Sequence, residues 1–166
     1  KNKFRSSNRW RYFNNSGIKV SGYDKTPTAL TAALQSEGIS IHFEDDIKFI
    51  DKKAGLVVYT PAVPADHKEY NYYKDNNYTI LKRSAVLGLI TSATYSICVA
   101  GTHGKTTTSA MVAHIFRDSG TGCAAFLGGI ASNYETNFWP QEKTAGNNKQ
   151  VSVAEADEYD RSFLKL

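Results

Sequence analysis

The stretch SICVAGTHGKTTTSAMVAHIF, residues 96–116, decides how the chain is read. An apolar run, Ile97-Cys98-Val99-Ala100, meets Gly101 and Gly104, then Lys105 and three threonines, and a helix-like pattern follows. A phosphate-binding loop needs a strand feeding a tight turn whose main-chain N–H groups converge on an anion. A helix must start at once, so that its positive dipole end adds to them. Gly101 and Gly104 supply the main-chain freedom for that turn. Lys105 can set its ammonium on the β and γ phosphates, and Thr106 holds the hydroxyl position that contacts Mg2+. Thr107 and Thr108 line the first helical turn, where N–H groups lack helical acceptors. The common spelling, G-x-x-x-x-G-K-[ST], asks for glycine where Val99 stands, so the loop is a tighter variant. A glycine-containing turn with an incidental lysine is the plainer alternative. G-K-T set directly between an apolar strand and an amphipathic helix favours the nucleotide. His103, between Thr102 and Gly104, is too exposed there for packing and is expected to face a ligand rather than act as a base.

A triphosphate with its metal also needs an acid at the end of a neighbouring strand. VSVAEADEYD, residues 151–160, offers Glu155 first past an apolar run, then Asp157, Glu158 and Asp160. Hard oxygen ligands beside a phosphate chain suit Mg2+. A solvated acidic helix start is the alternative, since acids also favour a first turn. Beside the lysine loop, the metal reading is preferred, with Glu155 ahead of Asp157.

At 166 residues the chain can bury a real core, as one domain or two small ones. Its 41% hydrophobic and 22% charged fractions are ordinary for a globular protein. No apolar run approaches a membrane span, and neither a signal-peptide pattern nor zinc-ligand spacing is present. Cys98 and Cys123 both sit in strand-like apolar surroundings and are expected to be buried reduced thiols, which suits the cytoplasm. The net charge of +4 misleads, because Lys1, Lys3, Arg5, Arg9 and Arg11 crowd the start with no acid among them. Without those five, the remaining bases fall short of the 16 acids. A basic arm can hold nucleic acid, but no nucleic-acid-binding module accompanies it, so a frayed or truncated terminus is expected.

Short β-rich runs alternate with helical stretches, which points to an α/β chain with parallel sheets covered on both faces. Strands are expected over residues 17–24, 39–43, 55–64 (running into a proline-rich turn), 78–84, 95–100, 123–129 and 150–157. Helices are expected over residues 26–38, 65–76, 85–93 and 106–120, the last with Ala110, Met111 and Ile115 on its apolar face. A boundary falls near Thr91–Tyr95, and a long polar loop runs from Asn133 to Lys149.

The motifs GTHGKTTT and EADEYDRSFLKL together resemble those of the Mur ligase family, and the likeness runs from about Arg11 to Leu166. VSGYDKTPT, VVYTPAVPADHKE, ILKRSAVLGLI and AFLGGIASNYETN resemble further landmarks of that family. The family uses ATP to join an amino acid to the lactyl carboxylate of UDP-N-acetylmuramate through an acyl phosphate. The resemblance therefore implies ATP and Mg2+ as cofactors, UDP-N-acetylmuramate and L-alanine as substrates, and a cytoplasmic enzyme without membrane or nucleic-acid partners. A sister activity that attaches a tripeptide shares both motifs. The implied architecture is a Rossmann-like UDP-sugar-binding unit over residues 1–92, followed by the start of a P-loop-type parallel-sheet ATPase domain over residues 93–166. Gly101, Thr102, His103, Gly104, Lys105, Thr106 and Thr107 would surround ATP, with Lys105 and His103 in the catalytic set. Thr106 and Glu155 would serve Mg2+, while Asp24, Thr60 and Asn137 would face the sugar nucleotide.

The sequence departs from the family in four places. KNKFRSSNRW stands where a first strand and a G-x-G-G-x-G turn belong, and it holds no glycine, so the diphosphate cradle is not expected. Ala85 replaces an acid and Glu135 a glycine. The sequence stops at Leu166, ahead of the rest of the ATPase sheet and the amino-acid domain, which marks an expected fragment of a ligase that works when complete. A non-catalytic nucleotide-binding module is the competing function.

Overall fold

Helical and extended segments alternate along the computed structural model, which describes residues 7–142 and 150–156, and they assemble into a mixed α/β structure dominated by parallel strands. The first segments are α1 (Ser7–Asn15), β1 (Ser21–Tyr23), α2 (Ala29–Ser36) and β2 (Ser40–His42), with β1 and β2 paired in parallel. The Thr-Pro start signal leads into Thr28, the cap of α2. Its hydroxyl accepts from the Thr31 N–H at 3.2 Å, and Thr31 Oγ1 accepts from the Thr28 N–H at 2.8 Å. β3 (Val57–Tyr59), α3 (Lys68–Asp75), β4 (Ile80–Lys82) and α4 (Arg83–Ser92) repeat the pattern, again with a parallel pair. Asp45 accepts from the N–H groups of Lys68 and Glu69 at 2.9 and 3.1 Å and so seals the start of α3. Burial pushes the Asp45 carboxyl up, but these two main-chain donors outweigh it and hold it below its usual range. Among the described residues the two parallel pairs form two separate two-stranded sheets.

The remaining strands form one larger sheet. β5 (Tyr95–Val99), β6 (Ala124–Ala131), β7 (Thr136–Trp139) and β8 (Val151–Glu155) lie in the order β5-β8-β6-β7, and α5 (Lys105–Asp118) follows β5. β5, β8 and β6 run parallel, and β7 is antiparallel to β6. Apolar groups fill both faces. Ala113 of α5 packs with Cys123, Ala125, Leu127, Trp139, Val151 and Val153 on one side. Val86, Leu87 and Ile90 of α4 pack with Ala124, Phe126, Phe138 and Ala154 on the other. Strands buried on both sides carry small and apolar residues on both faces, as in β6, and the one polar residue buried within β8, Ser152, is satisfied by the hydroxyls of Thr94 and Ser96.

Several expectations need correction. The polar loop 133–149 contains β7, because Phe138 and Trp139 have apolar faces to bury. The basic start is neither a frayed end nor an open arm from Ser7 onward. Within α1, Ser7, Asn8 and Arg9 are buried, while Lys1, Lys3 and Arg5 lie outside the described residues. Met111 and Ile115 stand 62% and 64% exposed, since Ser109 and Ala113 are the small residues that let α5 approach the sheet. Cys98 is exposed on the edge strand β5, whereas Cys123 is buried and burial pushes its thiol up to about 11. The expected strand over residues 78–84 ends at Lys82, and Arg83 and Ser84 open α4.

α1 joins the two halves of this structure. Trp10 packs on the Leu34, Ile39 and Ile41 cluster, while Tyr12 and Phe13 pack on the α4 side of the larger sheet. Between them Arg11 grips Glu37 with Nη2 at 2.7 Å and Nε at 2.8 Å, and its Nη1 donates to Asn137 Oδ1 of β7 at 3.1 Å. Arg11→Ala leaves Asn137 and Glu37 short of a charged donor, and should lower the unfolding free energy by roughly 1–3 kcal/mol in denaturant titrations. Glu135 holds φ 50 at the turn before β7. Glu135→Gly relieves that left-handed strain and should raise stability by about 1 kcal/mol, seen as a higher unfolding temperature.

Candidate functional site

The loop between β5 and α5 begins as soon as the strand stops pairing. Gly101 adopts φ 147, a region essentially closed to other residues, and Gly104 caps α5 with φ 75 and ψ 0. No side chain caps this end of the helix, so its first turn presents main-chain N–H groups outward from the helix end. Helical bonding begins with the Thr108 N–H, which donates to the Gly104 carbonyl at 2.9 Å. Gly101, Thr102, His103 and Gly104 are exposed, and Lys105 and Thr106 are half-buried. The Lys105 ammonium folds over the loop and donates to the Gly101 carbonyl.

Parallel pairing brings an acid to this loop. β8 lies between β5 and β6, Val99 sits opposite Glu155, and the Ala156 N–H donates to the Val99 carbonyl at 2.9 Å. The Glu155 carboxylate lies across Gly128, whose N–H donates to Oε1 at 2.6 Å. A Cβ at Gly128 would stand 2.4 Å from Oε2, so only glycine leaves the carboxylate this place. A Cβ at the next residue, Gly129, would stand 3.3 Å from the Thr106 methyl. Glu155 and Thr106 thus each border one of two successive glycines of β6, and Glu155 closes β8 opposite the carboxyl end of β5, the end of a parallel sheet where open α/β folds bind ligands. Asp157, the second-choice acid, lies outside the described residues, as do Glu158 and Asp160.

The donor set fits a phosphate-bound magnesium ion. It offers one carboxylate and one hydroxyl, both hard oxygens, beside main-chain amides suited to an anion. No group of three or more histidines, cysteines or acids that could hold a metal occurs among the described residues. Mg2+ needs no such cage, since it takes most of its ligands from phosphate and water.

The three residues assigned to a sugar nucleotide are placed differently. Asp24 and Thr60 follow the ends of β1 and β3. The Asp24 carboxylate accepts from the Thr26 N–H at 3.1 Å, and the Thr60 carbonyl accepts from the Val63 N–H at 3.1 Å. Asn137 is buried in β7, accepting from Arg11 and donating to Ser7 Oγ at 3.3 Å. Among the other histidines, His42 meets the Glu69 carboxylate at 2.7 Å and His67 helps cap α3. Sequence reasoning missed Gly128, Gly129 and Asn8. The doublet inside an apolar run was the available signal, because glycine in a strand marks a close approach.

Comparison with known proteins identifies the family and the fold. Residues 6–95 match the Mur ligase family catalytic domain, and residues 99–161 match the Mur ligase middle domain. The chain belongs to the Mur ligase family. A UDP-N-acetylmuramate–L-alanine ligase of Flavobacterium johnsoniae is 53% identical over 160 residues, which is 94% of this chain and 34% of the relative. The enzyme of the same name from Porphyromonas gingivalis is 49% identical over 161 residues, with the same coverage. This Mur ligase chain therefore spans about a third of the length of the curated relatives it matches. Among solved structures, the Thermotoga maritima UDP-N-acetylmuramate–alanine ligase superposes with a TM-score of 0.77 at 27% identity, covering 90% of this chain and 34% of that one. The Neisseria ligase for UDP-N-acetylmuramate and L-alanyl-γ-D-glutamyl-meso-diaminopimelate reaches a TM-score of 0.83 at 23% identity, covering 97% and 51%, and shows the shared fold. No helix among the described residues is long and apolar enough to cross a membrane.

The left-handed cap gives a direct check on the loop geometry. Gly104→Ala should destabilise the protein by about 1 kcal/mol, and Gly104→Asn by less, because asparagine tolerates this conformation. Thermal unfolding of the two variants measures the difference.

Proposed function

We propose that the chain is the sugar-nucleotide and ATP-binding portion of a cytoplasmic ligase that joins L-alanine to UDP-N-acetylmuramate for peptidoglycan precursor synthesis. Residues 1–92 form the UDP-sugar unit and residues 93–166 the first part of the ATPase domain. The supporting observation is that parallel pairing of β8 with β5 sets Glu155 opposite Val99, at the strand end from which the glycine-bounded loop leads into the G-K-T start of α5. Relatives near 50% identity that bear this ligase name favour the same substrates.

In this reading the loop amides from Gly101 to Thr107 cradle and orient the β and γ phosphates of ATP. Lys105 exchanges its bond to the Gly101 carbonyl for the phosphates, and offsets charge that builds on the transferring group. Thr106 and Glu155 hold Mg2+, which supplies further neutralisation of the phosphoryl oxygens. His103 projects from the loop toward the reacting end. Asp24 and Thr60 face the sugar nucleotide and bring its lactyl carboxylate in line with the γ phosphate. Asn137, buried and bonded to Arg11 and Ser7, braces α1 behind them instead of touching the ligand. That carboxylate accepts the phosphoryl group as an acyl phosphate, and the amine of L-alanine then displaces phosphate to form the amide.

ADP release by the full-length protein, given UDP-N-acetylmuramate, ATP, magnesium and either L-alanine or the tripeptide, tests this. Turnover is expected with L-alanine, and Lys105→Ala should lower it by about 100-fold or more. Turnover with the tripeptide alone would assign the recycling activity instead. Nucleotide binding without turnover on either acceptor would leave a binding module.

A further inference from the structure

One peptide group, Leu127–Gly128, has both of its polar atoms committed to side chains from distant parts of the chain. Its carbonyl oxygen, on buried Leu127, accepts from Asn8 Nδ2 of α1 at 2.7 Å. Its N–H, on Gly128, donates to Glu155 Oε1 at 2.6 Å. The sheet leaves this group available. Pairing of β6 with β8 runs from Ala124 to Phe126, and the register between β6 and β7 shifts between Phe126 and Ala131. Such irregularities re-aim groups beside functional sites. The peptide dipole is aligned from end to end: a donor on its oxygen strengthens its N–H as a donor to the carboxylate.

We infer that Asn8 and Gly128 are positioning residues for Glu155, acting through the Leu127–Gly128 peptide, so that seating of α1 sets the carboxylate that holds magnesium. This rests on the reading of the loop as an ATP–magnesium site. The bare Cα of Gly128 provides the space and its N–H provides the aim. Asn8 fixes the peptide from the side of the sugar-nucleotide unit. Asn8 is itself buried, 4% exposed, and its Oδ1 accepts from Ser7 Oγ at 3.4 Å, so the amide is held before it reaches Leu127. Through this chain, a shift of α1 reaches Glu155 by way of a single peptide of β6.

Gly128→Ala separates this role from folding. The atoms that the new methyl would meet belong to the mobile end of Glu155, so the protein keeps its stability while the carboxylate loses its place. The full-length protein is titrated with magnesium in the presence of ADP, and nucleotide affinity is also measured in EDTA. Gly128→Ala is expected to raise the magnesium midpoint by about 10-fold, the usual effect of losing an outer hydrogen-bond partner of a metal ligand, with affinity in EDTA and unfolding temperature unchanged. Asn8→Ala should shift the midpoint in the same direction by less. Both shifts should vanish in a Glu155→Gln background, because all three residues act on one group. Shifts of equal size in that background, or no shift in the Glu155 protein, would overturn the inference while leaving the loop reading intact. A wild-type protein that binds ADP without any response to magnesium, or binds none at all, would remove both.

Discussion

Wedging β8 between β5 and β6 determines which side chain stands at the start of the β5–α5 loop and which face it comes from. Val151 and Val153 point into the α5 side of the sheet, and Ser152 and Ala154 point the other way. Alternation then carries Glu155 to the face of α5, the helix that bears Thr106. A slip of one residue would place Ala154 or Ala156 there and send the carboxylate into the α4 core. The burial of Val153 and Ala154, both fully shielded, makes that slip costly from both faces at once. Register here is enforced by packing on two sides, and the chemistry at the strand end inherits it.

α1 shows how much of the arrangement depends on tertiary contacts. A helix of nine residues with a basic, polar composition is not stable alone in water. It persists because Trp10 fills one apolar cluster and Tyr12 and Phe13 fill another, with Arg11 bridging Glu37 and Asn137 between them. Gly22 of β1 takes part in this fit: a Cβ there would stand 2.8 Å from the Trp10 ring. The same helix that couples the two hydrophobic clusters supplies Asn8 to the peptide beside Glu155. Mechanical coupling and placement of the carboxylate therefore share one element.

What could be read from the sequence follows the range of the forces involved. The loop, the capped helix after Thr-Pro and the apolar strands are local patterns, and each lies within its expected stretch, although β1, β3 and α2 are shorter than the stretches read for them. α1 was misread because charge dominates residues 1–11, while the partners that bury it, Leu34, Phe126 and Phe138, are remote in sequence. Met111 and Ile115 fit a helical stripe as well as Ser109 and Ala113 do, and only the sheet selects the smaller pair. β7 was lost in a polar stretch because its pairing with β6 is made after a turn that holds Glu135 in a left-handed conformation. Glu155 could be singled out as the first acid after a strand. That its carboxylate rests on the bare backbone of Gly128 could not, since it depends on which strand lies alongside.

Val99 explains why the loop between β5 and α5 is shorter than the common G-x-x-x-x-G-K-[ST] form. In the longer spelling the strand gives way to the turn at this position, where glycine releases the backbone. Here β5 must stay extended through residue 99, because Val99 pairs with Glu155 and its carbonyl takes the Ala156 N–H. A β-branched residue suits that extended, half-buried position, and glycine would weaken it. The turn is therefore compressed into the residues after Val99, with Gly101 and Gly104 absorbing the change of direction through positive φ. The missing glycine and the fixed carboxylate have one cause, the continuation of the ladder to the last residue that can hold Glu155 beside the loop.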